Sequence, residues 1–87
     1  MKLFVGNLSY EITSSDLREF FGQVGKVVAA RVVSDPQSGR SKGFGFVEMS
    51  DRAAAERAIE EFNGIDAMGR QIIVTFARPA LGMKNPA

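Results

Sequence analysis

Residues 42–49 read KGFGFVEM (Lys42 to Met49). Phe44, Phe46 and Val47 suit a pleated strand. Side chains alternate along a strand, so Lys42, Phe44, Phe46 and Glu48 share one face, and Gly43, Gly45, Val47 and Met49 share the other. The first face mixes two large rings with two charges. Inside a core it would bury a lysine and a glutamate; outside, it leaves two phenylalanines in water. Such a strand fits a sheet that is covered on one side only.

The remainder of the chain narrows the choice. Its 87 residues suffice for one compact domain. At 45% hydrophobic and 24% charged the composition is that of a globular protein. Cysteine and histidine are both absent, which removes disulfides, thiolate metal sites and the commonest general base. The opening MKLFVGNLS does not read as a signal peptide, because Gly6 and Asn7 break its apolar run. No apolar run approaches the roughly 20 residues of a membrane span. A soluble, intracellular, cytoplasmic domain without membrane contact is expected, with no cofactor and no catalytic function.

Residues 3–8 (LFVGNL) form a short strand that ends at a Gly-Asn break. Thr13 with Asp16 three residues on is a capping box, and Ile12 can staple against Leu17. Leu17, Phe20, Phe21 and Val24 then share a helical face, with Gly25 as the stop. Val27–Val33 is β-branched and predicts a second strand, joined to the 42–49 strand through the turn residues DPQSGRSK (35–42). Ser50 is the expected cap of a second helix, in which Ala55, Ala58, Ile59 and Phe62 recur at helical spacing and Asn63-Gly64 marks the end. QIIVTFA (71–77) is the last strand. The domain is thus expected over residues 1–78, with 79–87 as a short tail, either flexible or folded back through Leu81 and Met83.

The order β-α-β-β-α-β predicts an α+β, ferredoxin-like sandwich: a four-stranded antiparallel sheet with both helices on one face. The helices need apolar partners, and Gly43, Gly45, Val47, Met49, Leu3 and Val5 supply them. By parity Lys2 and Phe4 then join Phe44 and Phe46 on the open face. Fully burying one phenylalanine would contribute on the order of 1.5–3 kcal/mol, so three left on a surface point to a binding site. On the last strand Ile73, Thr75 and Ala77 share the open face, and Ile72, Val74 and Phe76 point inward.

Charge is polarised although the net charge is only +1. The two helices carry Asp16, Glu19, Asp51, Glu56, Glu60 and Glu61 against Arg18, Arg52 and Arg57. Lys2, Arg31, Arg40, Lys42 and Arg78 fall on the open face or its rim, with Glu48 as the acid among them. Such a field draws phosphates to one side.

At these residues the chain resembles the RNA recognition motif family. KGFGFVEM is similar to the family's eight-residue signature, Lys/Arg-Gly-Phe/Tyr-Gly/Ala-Phe-Val-x-Phe/Tyr. It departs only at Met49, which replaces the last aromatic and faces the core. LFVGNL resembles the six-residue companion signature, with Phe4 as its aromatic. The resemblance extends to the 35–42 loop, the A-x-x-A-I pattern of the second helix, Asn63-Gly64 and Gly69-Arg70, and so covers residues 2–78. It is similar, too, to short single-domain members found in bacteria. The resemblance implies that rings at Phe4 and Phe44 each stack on a base, that Phe46 packs against the sugars between them, and that Lys42 meets a phosphate. The last strand, including Ile73, Thr75 and Arg78, would tune sequence preference. Ile73 is apolar where a polar residue is more usual, so it either widens the platform or contacts a partner protein. A turn-stabilising role suits Asn7; Tyr10 receives no role.

The resemblance thus implies a monomer that takes single-stranded RNA, with single-stranded DNA as a second ligand of the same chemistry, at roughly micromolar affinity and with strong salt dependence. Its acidic helical face remains open to a protein partner. Other uses of this plan fit poorly. A metal carrier would need paired cysteines, and an acyl phosphatase an arginine in the loop after the first strand. A dinucleotide glycine motif would open a helix, whereas GFGF lies within a strand.

Overall fold

The computed structural model describes residues 1–77; the expectations placed on Arg78, Leu81 and Met83 lie outside them. Its elements run β1 (Lys2–Gly6), α1 (Ser14–Phe21), β2 (Val27–Ser34), β3 (Ser41–Met49), α2 (Arg52–Phe62), β4 (Asp66–Ala67), β5 (Arg70–Gln71) and β6 (Ile73–Phe76). β1, β2, β3 and β6 make the four-stranded sheet in the order β2-β3-β1-β6, every neighbouring pair antiparallel. β1 and β3, the strands that carry the rings, are therefore central.

The alternation read from residues 42–49 is present in the structure. Along β3 the residues Gly43, Gly45, Val47 and Met49 are buried, while Phe44, Phe46 and Glu48 are half-buried. Leu3 and Val5 of β1 and Ile72 and Val74 beside and within β6 face the same core. From the other layer come Leu17 and Phe21 of α1 and Ala54, Ala55, Ala58 and Phe62 of α2. Phe62 stacks on Phe20 with centroids 4.1 Å apart and meets Phe21 edge-on at 5.1 Å. Among the described residues no polar or charged side chain is buried, so this core rests on apolar contact alone.

Helix α1 starts as expected. Thr13 Oγ1 accepts from the Asp16 N–H at 3.1 Å, and Asp16 Oδ2 accepts from the Thr13 N–H at 2.9 Å. Its end comes earlier than Gly25, at the Gly22 cap, whose N–H donates to the Arg18 carbonyl. Gly25 has a packing role instead: a Cβ there would stand 2.6 Å from Ala54 Cβ, so its bareness lets α2 come close. The cap of α2 is Asp51 rather than Ser50, its Oδ1 accepting from the Ala54 N–H at 2.8 Å. A carboxylate at this end also complements the helix dipole. The Ser50 N–H is committed to the Lys26 carbonyl at 3.0 Å.

The run predicted as one strand over 71–77 is divided. Gln71 belongs to a two-stranded hairpin, β4–β5, closed at Met68-Gly69. Both turn residues have positive φ (54° and 86°), as a type I′ turn demands. Asp66 Oδ1 braces the turn by accepting from the Gly69 N–H at 3.0 Å.

Candidate nucleic-acid interface

The open face is built outward from Phe4. Register places it opposite Phe46 of β3 on one side and Thr75 of β6 on the other. Phe44 stands two residues before Phe46 on the same face. The three rings form a triangle, with centroids 5.8 Å (Phe4–Phe44), 6.0 Å (Phe4–Phe46) and 6.2 Å (Phe44–Phe46) apart. Phe4 and Phe44 are tilted by only 33° to each other, whereas Phe46 stands nearly edge-on to Phe44 at 89°. Each ring shields part of its neighbours, so all three are half-buried, leaving surface for a ligand.

Polar groups border the rings. Arg31 lies opposite Phe46 on β2, and Glu48 has Lys2 on one side and Ala29 on the other. The Lys2 ammonium sits 5.5 Å from the Phe46 centroid, a cation–π contact of about 0.5–1 kcal/mol at an exposed site. Two shallow hollows flank Phe46. One, of 220 Å³, is lined by Lys2, Ala29, Ala30, Arg31, Phe46 and Glu48. The other, of 420 Å³, lies among Phe4, Phe46, Thr75, Phe76 and Ala77. Ile73, opposite Gly6, is 49% exposed.

At the other end of β3 the loop is closed on itself. The Asp35 N–H donates to the Arg40 carbonyl and the Gly39 N–H to the Asp35 carbonyl, each at 2.7 Å. Asp35 Oδ1 accepts from the N–H groups of Gln37 (2.8 Å) and Ser38 (3.3 Å). These two bonds, and to a smaller extent the nearby Lys42, hold its carboxyl below the usual carboxylate range. Arg40 is thereby carried on an ordered turn beside Lys42.

On the helical side two of the three arginines are engaged. Arg52 pairs with Glu56 at 2.9 Å and lies over the Phe76 ring at 5.2 Å. Arg57 donates to the Val24 carbonyl at 2.6 Å. The exposed acids Glu19, Glu60 and Glu61 therefore dominate that surface.

The structure thus brings together Lys2, Phe4, Arg31, Phe44, Phe46, Glu48, Ile73 and Thr75 on one face. Arg40 and Lys42 stand apart from the Lys2–Glu48 end by most of the length of β3, about 20 Å at roughly 3.3 Å per residue. The structure also gives Asn7 its partners and adds two contacts that the pattern does not show, at Tyr10 and at Gly6. Asn7, at φ 57°, donates from Nδ2 to the Gln71 carbonyl (2.7 Å) and accepts from Arg70 Nη2 (2.8 Å). It ties the end of β1 to the β4–β5 hairpin, the structural role expected for it. Tyr10 packs over Gly43, where a Cβ would meet its ring at 3.1 Å. Gly6 lies beneath the Phe4 ring. Gly69 is the one local mark of the hairpin, and nothing in the sequence alone signals the Tyr10 contact.

Residues 3–73 match the family model described as RNA recognition motif. The chain belongs to the RNA recognition motif family. Across 79 residues it is 44% identical to RbpE of Nostoc sp. (strain PCC 7120), a protein named for RNA binding, covering 91% of this chain and 80% of that one. Among solved structures, the domain is similar to RNA Binding Protein PG1, at 48% identity and a TM-score of 0.87, over 91% of this chain and 98% of that one. It is similar also to the Sex-lethal chain in a protein/RNA complex, at 30% identity and a TM-score of 0.89, over 93% of this chain and 48% of that one. An RNA recognition motif is a binding module and not an enzyme. No helix among the described residues is long and apolar enough to cross a membrane.

Proposed function

We propose that this RNA recognition motif binds a few nucleotides of single-stranded RNA on its open sheet face. The observation that carries the reading is the triangle of Phe4, Phe44 and Phe46, left half-exposed on the two central strands with Lys2, Arg31 and Lys42 at its borders. Bases stack on Phe4 and Phe44, whose planes are tilted by 33° to each other. Phe46, turned edge-on, packs against the sugars between them, and Lys42 meets a phosphate. Stacking on an aromatic side chain contributes about 1–3 kcal/mol per base and tolerates any base. Unpaired RNA offers such faces, whereas the deep A-form groove does not. Membership of the family and the RNA-bound Sex-lethal neighbour support this reading.

One copy of the chain supplies every ring, so a monomer suffices. Single-stranded DNA presents the same bases and phosphates and is a second ligand of the same chemistry. The acidic helical surface stays free for a basic protein partner while RNA is bound. An amide-shift titration of the labelled protein with a pool of short random single-stranded RNA tests the site. Shifts concentrated at Phe4, Arg31 and Lys42–Glu48 are expected. An unchanged spectrum at low salt would sink the RNA reading and leave the rings to a protein ligand.

A further inference from the structure

Glu48 is an anomaly on a phosphate-binding face. It is half-buried and flanked by Lys2 and Ala29 on the adjacent strands. Its obvious cross-strand partner does not neutralise it, because the Lys2 ammonium lies over the Phe46 ring. Among the described residues the ion pair present is Arg52–Glu56, and no nitrogen of Lys or Arg comes within 4.0 Å of the Glu48 carboxylate. Nor does any hydrogen bond engage it there. An unpaired carboxylate repels phosphate and contributes nothing to stacking, so neither role of the platform accounts for it.

Its position does. Glu48 lines the 220 Å³ hollow beside Phe46, together with Arg31, Lys2 and the small Ala29. That space is below the roughly 300–1,000 Å³ of a typical small-molecule pocket, and suits one planar ring system. Phe46 forms one wall, and two cations stand at the rim where a phosphate would pass. A carboxylate is acceptor-only, with two oxygens able to take parallel donors. Guanine presents two adjacent donors, N1–H and N2–H, on its Watson–Crick edge. Cytosine offers its N4 amino group. Uracil has only N3–H, between two carbonyl oxygens that the carboxylate would repel.

We infer that the hollow beside Phe46 is a base-selective subsite in which Glu48 reads guanine through N1–H and N2–H. The inference rests on the single-stranded RNA reading above and supplies the sequence preference that stacking lacks. Cytosine ranks second and uracil last. Arg31 and Lys2 hold the phosphates of that nucleotide, which offsets the repulsion from Glu48.

The test compares binding of the octanucleotides (GU)4, (IU)4, (CU)4 and U8 by fluorescence anisotropy, for the wild type and for Glu48→Gln and Glu48→Thr. Amide spectra check that each variant is folded. The wild type should bind (GU)4 roughly tenfold more tightly than U8, in line with the discrimination of one good bidentate contact. Inosine, which lacks the N2 amino group, should fall between them. Both variants should bind all four RNAs to within about twofold of each other. Equal wild-type affinities for (GU)4 and U8 would overturn the guanine subsite while leaving the stacking platform intact. A guanine preference that survives both substitutions would overturn the role of Glu48. If no RNA binds at all, the platform itself fails, and the subsite with it.

Discussion

The ring of Phe4 lies directly over Gly6: a Cβ at position 6 would stand 2.6 Å from the ring's Cε2 and 2.9 Å from Cζ. Residues 4 and 6 share the open face of β1, so the missing side chain is what lets the ring recline along the strand. Gly6→Ala should therefore lift the ring rather than break the fold, since the atoms it meets are the free end of a side chain. The expected outcome is a loss of RNA affinity of up to about 1–3 kcal/mol, the range of one stacked base. Thermal unfolding should change little. Isothermal titration with a short RNA and a melting curve on the same sample check both halves.

The two faces of β3 should respond differently to substitution. Phe44→Ala or Phe4→Ala removes a half-exposed ring and should weaken binding by roughly 1–3 kcal/mol with the domain still folded. Met49, 1% exposed against α2, is on the other face. Met49→Asp places a charge where no buried polar partner exists among the described residues, and should unfold the domain. Phe21→Ala, also in the core, should cost about 3–5 kcal/mol of stability. Circular dichroism melts with parallel RNA titrations separate the two classes. A Phe44→Ala protein that melts as early as Met49→Asp would mean that the ring holds the core.

Local pattern made much of this legible. The period-2 alternation of 42–49 fixed which residues of β3 face outward, and the parity of Leu3 and Val5 did so for β1. The capping box at Thr13 was readable because both partners lie within four residues. What depended on distant packing was not. Gly25 looked like a helix stop, yet it is bare because Ala54, some thirty residues away, presses on it. Asp51 and not Ser50 is the cap because the helix begins at Arg52, which puts the Asp51 carboxylate within 2.8 Å of the Ala54 N–H. The β4–β5 hairpin is hard to read locally because one of its turn residues is Met68, a residue seldom found at positive φ. For the site, sequence supplied the rings and the cations. That Lys2 rests on Phe46, with no ion pair to Glu48 among the described residues, depends on packing between strands and not on local pattern.

Asp35 offers a pH test of the loop. Its carboxyl lies below the usual carboxylate value of about 3.9, chiefly because it accepts from the Gln37 N–H, next from Ser38. A depressed value means that the ionised form is favoured in the folded loop. The stabilisation is therefore fully present above the ordinary carboxylate value and is lost as pH falls through the lower folded value. Carbon-detected NMR titration of the Asp35 carboxyl should give a midpoint below that of Asp in an unstructured peptide. The Gln37 and Ser38 amide signals should move with the same midpoint. An ordinary midpoint would mean that the loop is not closed by these bonds, and Arg40 would lose its ordered support.

Salt dependence separates phosphate contacts from stacking. On single strands each neutralised phosphate contributes about −0.7 to the slope of log K against log salt. Lys42, exposed at the start of β3, should supply one such contact. Lys42→Ala should therefore make the slope shallower by roughly 0.7 and weaken binding evenly across RNA sequences. Phe44→Ala should lower affinity at every salt concentration and leave the slope alone, because a stacked ring releases no counterion. Arg18→Ala, on the exposed side of α1, should alter neither and serves as the control. Anisotropy titrations at several salt concentrations between 50 and 200 mM, a range over which phosphate-dependent binding changes measurably, suffice. If Lys42→Ala leaves the slope intact while Arg18→Ala flattens it, phosphate tracks along the helical side, and the open face loses its claim to the RNA.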